Sequence, residues 1–272
     1  MLYLLFSVLC SVSIANLLMV AGSRGKISML PIFLGNYFVA SLFSYSSLPA
    51  GTIFPGFFDL GFGILTGAFF LMNFWMFQKN IVQNGLSLAV GVMRIAMIIP
   101  ILLAVAIFRD RISYLNILGI VIGIAAFSLK TDPKEMHKLL WIVGLFVISG
   151  LTDASLKLYK EWGSGNEALF VYIIFSSAFV FTLVALIFNK TTFSYKSILF
   201  GCLLGMPNQL STVFFLKGLD SIPAAIAYPS VAISIVLLSI VSDITIWKKQ
   251  VARKDSILWA MLLISLLLLH TG

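Results

Sequence analysis

The sequence predicts an all-α integral membrane protein: ten transmembrane helices arranged as two five-helix inverted repeats. Three observations carry this. The 272 residues are 60% hydrophobic and only 10% charged, with a mean hydropathy of +1.07, whereas soluble domains carry roughly 25% charged residues. So few charges cannot cover a core of this size with a water-facing surface, and the bilayer is the solvent for most side chains. Second, ten apolar stretches approach the roughly 20 residues that a helix needs to cross a hydrocarbon layer of about 30 Å. Third, one pattern occurs twice. GLSLAVGVMRIAMIIPILLAVAIF, the turn RDRIS and YLNILGIVIGIAAFSLK fill 85–130, and a weaker copy near the C-terminus reads AAIAYPSVAISIVLLSIVSDITIW, KKQVARKD, SILWAMLLISLLLL.

The first span is Leu2–Ala21. It lacks a basic start and its apolar stretch runs for about 20 residues, so it reads as a span and not as a signal peptide. Leu9 is too large before Cys10 for a lipobox. Met29–Ser47, Gly56–Phe77, Asn84–Phe108 and Ser113–Lys130 complete the first half. Lys138–Tyr159, Glu167–Phe188, Lys196–Lys217, Pro223–Trp247 and Asp255–His270 form the second. The connections are short and hold most of the charge. Strands are excluded because these runs are continuously apolar and do not alternate as barrel strands do.

The connection 131–137 divides the spans five and five. Residues 1–130 are the first repeat, 131–137 the linker and 138–272 the second repeat. Placing Ile112 opposite Val251, an offset of 139, brings Ala89 onto Tyr228, Arg94 onto Ile233 and Asn116 onto Asp255. With an odd number of spans in each half, the second half enters the membrane from the opposite side. Such inverted repeats are a design of secondary transporters, which bind solute near the midplane at the repeat interface. Gly61, Gly63 and Gly67, Gly119 with Gly123, and Gly201 with Gly205 are spaced to let helices approach closely.

The net charge of +8 fits cytoplasmic loops and contact with anionic lipid, and it is not read as a nucleic-acid footprint. Most basic residues fall on the side opposite the termini, and this bias places the termini outside. Cys10 and Cys202 both lie in apolar segments, so no disulfide framework follows. His137 and His270 sit at segment ends, which leaves no metal or histidine-based catalytic centre. Gly-rich phosphate loops, GxSxG, HExxH and a glycosidase-type acidic pair are missing. The expectation is no enzyme and no cofactor.

The candidate site is built from polar residues inside apolar spans, where a charge at a helix centre costs at least about 2.5–3.5 kcal/mol and tends to face the bundle interior or a wet cavity. Arg94 is the deepest charge. Asp153 lies in the sixth span, which runs the same way across the membrane, about 6 Å deeper by helical rise. Arg94 is expected to grip an anionic group of a solute with paired hydrogen bonds. Asp153 is expected to hold a proton or to neutralise Arg94 when the cavity is empty. The alternative is a fixed Arg94–Asp153 ion pair that only sets helix register. Lys157, near the membrane surface, is expected to snorkel. Met206–Gln209 is expected to break the eighth span at Pro207, so that Asn208 and Gln209 line the cavity. Tyr228, beside Pro229, is expected to stack on or hydrogen-bond the ligand. Asn16, Asn36 and Asn73 are read as hydrogen bonds between helices, and Asp59 and Asp243 as solvated.

The ten spans in two halves, Pro100 with the charged turn before Ile112-Ser113 and Gly119, and the stretch GMPNQLSTVFFLKGLDSIPAAIAYPSVAIS together resemble the drug/metabolite transporter superfamily, EamA type. The resemblance covers nearly the whole chain. The acidic residue usual at the fourth-to-fifth turn is represented only by Asp110, and Lys248-Lys249-Gln250 has none. The resemblance implies solute transport without naming the cargo, and termini inside, against the charge bias. The resulting expectation is a monomeric or homodimeric secondary transporter of the cytoplasmic membrane, moving a small polar or anionic metabolite by alternating access. A non-transporting scaffold or sensor on the same fold, and a multispan membrane enzyme, are the alternatives.

Overall fold

The protein is seen in a computed structural model that describes residues 1–23, 29–52, 55–84, 86–129, 139–189, 194–248 and 253–271. The linker 131–137 lies outside them. The described residues form helices α1 (Leu2–Ser23), α2 (Met29–Ser46), α3 (Phe57–Asn84), α4 (Leu86–Ile95), α5 (Ile98–Ala106), α6 (Tyr114–Leu129), α7 (Leu139–Trp162), α8 (Glu167–Phe188), α9 (Tyr195–Leu219), α10 (Ala224–Thr245) and α11 (Arg253–Thr271). Among the described residues eight helical stretches, one of them α4 and α5 taken together, are long and apolar enough to cross a membrane. α6 and α11 are shorter apolar helices.

The expected fourth span is divided, and Pro100 explains where. A proline has no N–H to give the carbonyl four residues back, and its ring crowds that carbonyl. For Pro100 that residue is Ala96. The helix breaks at Ala96–Met97, and the Ala96 carbonyl takes Ile99 N–H instead, at 3.0 Å. The break expected at Pro207 is absent: α9 runs through it, as α10 runs through Pro229.

The chain forms two compact units, each drawing on both sides of the 131–137 linker. The first contains Asn73–Lys157 and Gly218–Gly272, with Met1; the second contains Leu2–Met72 and Leu158–Lys217.

In the first unit, α6 packs along α11. Asn116 Nδ2 donates to Leu269 O at 3.1 Å and Ser265 Oγ to Gly119 O at 2.6 Å, so the two helices run antiparallel. Ser113 and Asn116 cap the start of α6 reciprocally: Asn116 N–H donates to Ser113 Oγ and Ser113 N–H to Asn116 Oδ1. α4 packs Ala89 and Val92 on Ile142 and Leu145 of α7, with Met76, Phe77 and Ile81 of α3 around them. Polar bonds join α3 to α7: Ser149 Oγ donates to Asn73 Oδ1 at 2.6 Å, and Asn80 Nδ2 to Trp141 O at 2.6 Å.

In the second unit α2 packs along α8. Phe38 meets Phe179, Ser41 Oγ meets Ser176 Oγ at 2.7 Å, and Tyr45 meets Tyr172, which again is an antiparallel register. α2 also lies against α9 so closely that a Cβ on Gly201 would stand 2.0 Å from Ile32 O, and one on Gly35 2.1 Å from Ile198 O. Gly61, expected in a close contact, has nothing within 4 Å of its Cβ position. Asp59, expected in solvent, is 5% exposed and accepts Ser164 N–H at 3.1 Å.

Candidate functional site

Arg94 occupies the last turn of α4, just before the break. The other half of that span enters beside α7, where Ile99 lies against Gly150 so tightly that a Cβ there would come within 2.2 Å of its side chain. Arg94 is half-buried. Its Nε is buried and makes no hydrogen bond. An N–H left without a partner in such surroundings costs about 1–3 kcal/mol, more when the group is charged. Asp153 lies on α7, three residues past Gly150, and is also half-buried. The two charges are within electrostatic reach of each other but form no ion pair within 4.0 Å. The register-setting ion pair that the sequence allowed is therefore not made in this conformation.

Tyr228 is brought to the same place from α10. It is 5% exposed, and its hydroxyl donates to the main-chain carbonyl of Asp153 at 2.6 Å. This leaves the Asp153 carboxyl group outside that bond. Arg94, Asp153 and Tyr228 thus share one unit. A guanidinium with an unused donor, a carboxyl group that makes no ion pair with it and a hydrogen-bonded phenol form one polar cluster with the chemistry to hydrogen-bond an anionic or mixed polar group.

Asn208 and Gln209 belong to the second unit. Asn208 Nδ2 donates to Asn36 Oδ1 at 3.3 Å, and Gln209 is 3% exposed. Asn36 and Asn73 do bridge helices as expected. The Asn16 amide donates to Val12 O of its own helix.

Lys157 corrects the sequence reading most clearly. It does not snorkel. Its ammonium pairs with Asp110 Oδ1 at 3.1 Å, the two side chains being 8% and 11% exposed, and it also sits 5.3 Å from the centre of the Phe108 ring. Asp110 Oδ2 accepts Ala224 N–H, the first of α10, at 2.8 Å. A carboxylate at a helix N-terminus satisfies an orphan donor and suits the helix dipole. The sequence marked Asp110 only through the family resemblance, as the acidic residue usual at the fourth-to-fifth turn, and named no partner for it. The available signal was its scarcity, since the chain has 10 acidic residues in all.

No family model matches the chain. It is 25% identical over 285 residues to a protein of Haemophilus influenzae named "Uncharacterized protein", covering 97% of this chain and 94% of the relative. A solved crystal structure shares the fold with a TM-score of 0.78 over 99% of this chain and 96% of that one, at 12% identity.

Proposed function

We propose that the protein is a secondary active transporter of the cytoplasmic membrane, EamA-like, with ten spans as two inverted five-helix repeats. It moves a small polar or anionic metabolite by alternating access. The observation that carries this reading is Arg94. It is a half-buried guanidinium at the end of a broken helix, its Nε without a hydrogen bond, facing a nearby carboxyl group that does not pair with it. Discontinuous helices with functional groups at the break are where transporters of this type hold their solutes.

The backbone supports the repeat at the offset of 139. Among the described residues the non-glycine residues with positive φ are Arg109 (φ 56°) and Lys248 (φ 53°), which that offset superposes. The bonds into the two turns correspond as well. Ile107 and Phe108 both donate to Leu103 O, at 3.0 and 3.4 Å; Ile246 and Trp247 both donate to Ser242 O, at 2.8 and 3.2 Å. Two helix pairings, α6 with α11 and α2 with α8, join spans that are equivalent under the same division. Both run antiparallel, as inverted copies require.

Asp153 is the proton-coupling candidate. With the protein in proteoliposomes, Asp153→Asn is expected to abolish the response of solute flux to an imposed pH gradient while leaving exchange without a gradient measurable. Flux that tracks the gradient equally in both proteins removes Asp153 from coupling.

A further inference from the structure

α7 and α10 are tied at two levels, one helical turn apart on each. At the first, Asp110 joins Lys157 of α7, through Oδ1 at 3.1 Å, to Ala224 N–H of α10, through Oδ2 at 2.8 Å. At the second, Tyr228 of α10 donates to the carbonyl of Asp153 of α7 at 2.6 Å. Lys157 and Asp153 are four residues apart, and so are Ala224 and Tyr228, so each pair lies on one helical face. The bridging carboxylate comes from neither helix. It is aimed by the turn after α5, where Arg109 takes the left-handed conformation and Asp110 N–H donates to Ala104 O at 3.0 Å. The carboxylate touches both helices at once, and Lys157 belongs to both levels: its ammonium pairs with Asp110 while its main chain bonds Tyr228. Its removal therefore acts on that tie through the seating of Lys157 and the register of α10 on α7.

The geometry points to Asp110 as the positioning residue of the Asp153–Tyr228 site: a latch that holds the first turns of α10 on α7, keeps Tyr228 on the Asp153 carbonyl, and on release opens Asp153 to water and solute. The proposal rests on the solute-site reading for what the latch admits, and on these contacts alone for the latch itself.

Cysteine accessibility tests it in the full chain in lipid nanodiscs, in a background of Cys10→Ser and Cys202→Ser. One reporter is Ala227→Cys, beside Tyr228; the control is Ala126→Cys on α6. Both alanines are 0% exposed. With a water-soluble methanethiosulfonate, Asp110→Asn is expected to raise the modification rate at 227 about tenfold, a population shift of one decade, with 126 unchanged, and Asp110→Glu is expected to keep 227 slow. Rates that rise together at 227 and 126 would mean general loosening and overturn the latch, as would rates that change at neither. If Asp110→Asn does not fold because Lys157 is left as a buried unpaired charge, Asp110→Asn with Lys157→Met removes that charge and is read the same way. The readout uses no solute. A failed latch therefore leaves the transport reading standing, and a protein that binds no solute can still show the latch.

Discussion

Asp110→Ala is expected to lower the unfolding free energy by about 3–5 kcal/mol, the range for removing one partner of a buried ion pair. The large value follows from what remains. Lys157, 7% exposed, would keep its charge without Asp110, and Ala224 N–H at the start of α10 would lose its acceptor. Adding Lys157→Met should return most of the loss, because exchanging both members of a buried pair for apolar groups is often neutral. Equilibrium unfolding of the three proteins in mixed micelles measures this. A single variant as stable as the parent, or a double variant no better than the single, would show that the pair does not hold this end of the unit together.

Gly201→Ala should be the other severe substitution, at about 2–3 kcal/mol. Its new methyl would sit 2.0 Å from the main-chain oxygen of Ile32, and a backbone carbonyl cannot swing aside as a side chain can. α2 and α9 would have to separate, and the interlocking Gly35, whose Cβ position is 2.1 Å from Ile198 O, would lose its contact in the same movement. Gly61→Ala is the internal control. Its Cβ position meets nothing within 4 Å, and an exposed helical glycine replaced by alanine gains roughly 0.5–1 kcal/mol. Apparent melting temperatures of the two variants in one detergent should therefore move in opposite directions.

The division between what the sequence showed and what it hid follows the range of the interactions. Span positions come from local composition, and among the described residues the expected spans coincide with helices, the fourth as two, α4 and α5. The site of the α4–α5 break follows from Pro100 by counting back four residues. The same rule applied to Pro207 predicts a break that α9 does not make: the helix is held before Pro207 by Gly201 against Ile32 of α2 and after it by the bond of Ser7 Oγ of α1 to Ser211 O. Arg94 and Asp153 were brought near each other by depth along two parallel-running spans, which is helix arithmetic. Tyr228 on the Asp153 carbonyl, and Asp110 between Lys157 and Ala224, join residues 47 to 114 positions apart. No periodicity reports such bonds. Lys157 shows the cost of judging a charge by its distance from a span end alone: it lies where a lysine can snorkel, and a carboxylate from a remote turn keeps it inside.

In the proposed function, Arg94 receives the anionic group of a solute. The direct measurement is a thermal-shift screen of the purified protein against small anionic and zwitterionic metabolites, run beside Arg94→Ala and Arg94→Lys. A ligand of the native state stabilises it by RT ln(1 + [L]/Kd), about 1.4 kcal/mol at ten times Kd. The prediction is that at least one anionic solute raises the melting temperature of the native protein, that Arg94→Ala abolishes the shift, and that Arg94→Lys keeps only part of it, having the charge without the paired donors. A solute that stabilises native and Arg94→Ala protein equally, or a screen in which no anionic solute stabilises the native protein, would contradict the account.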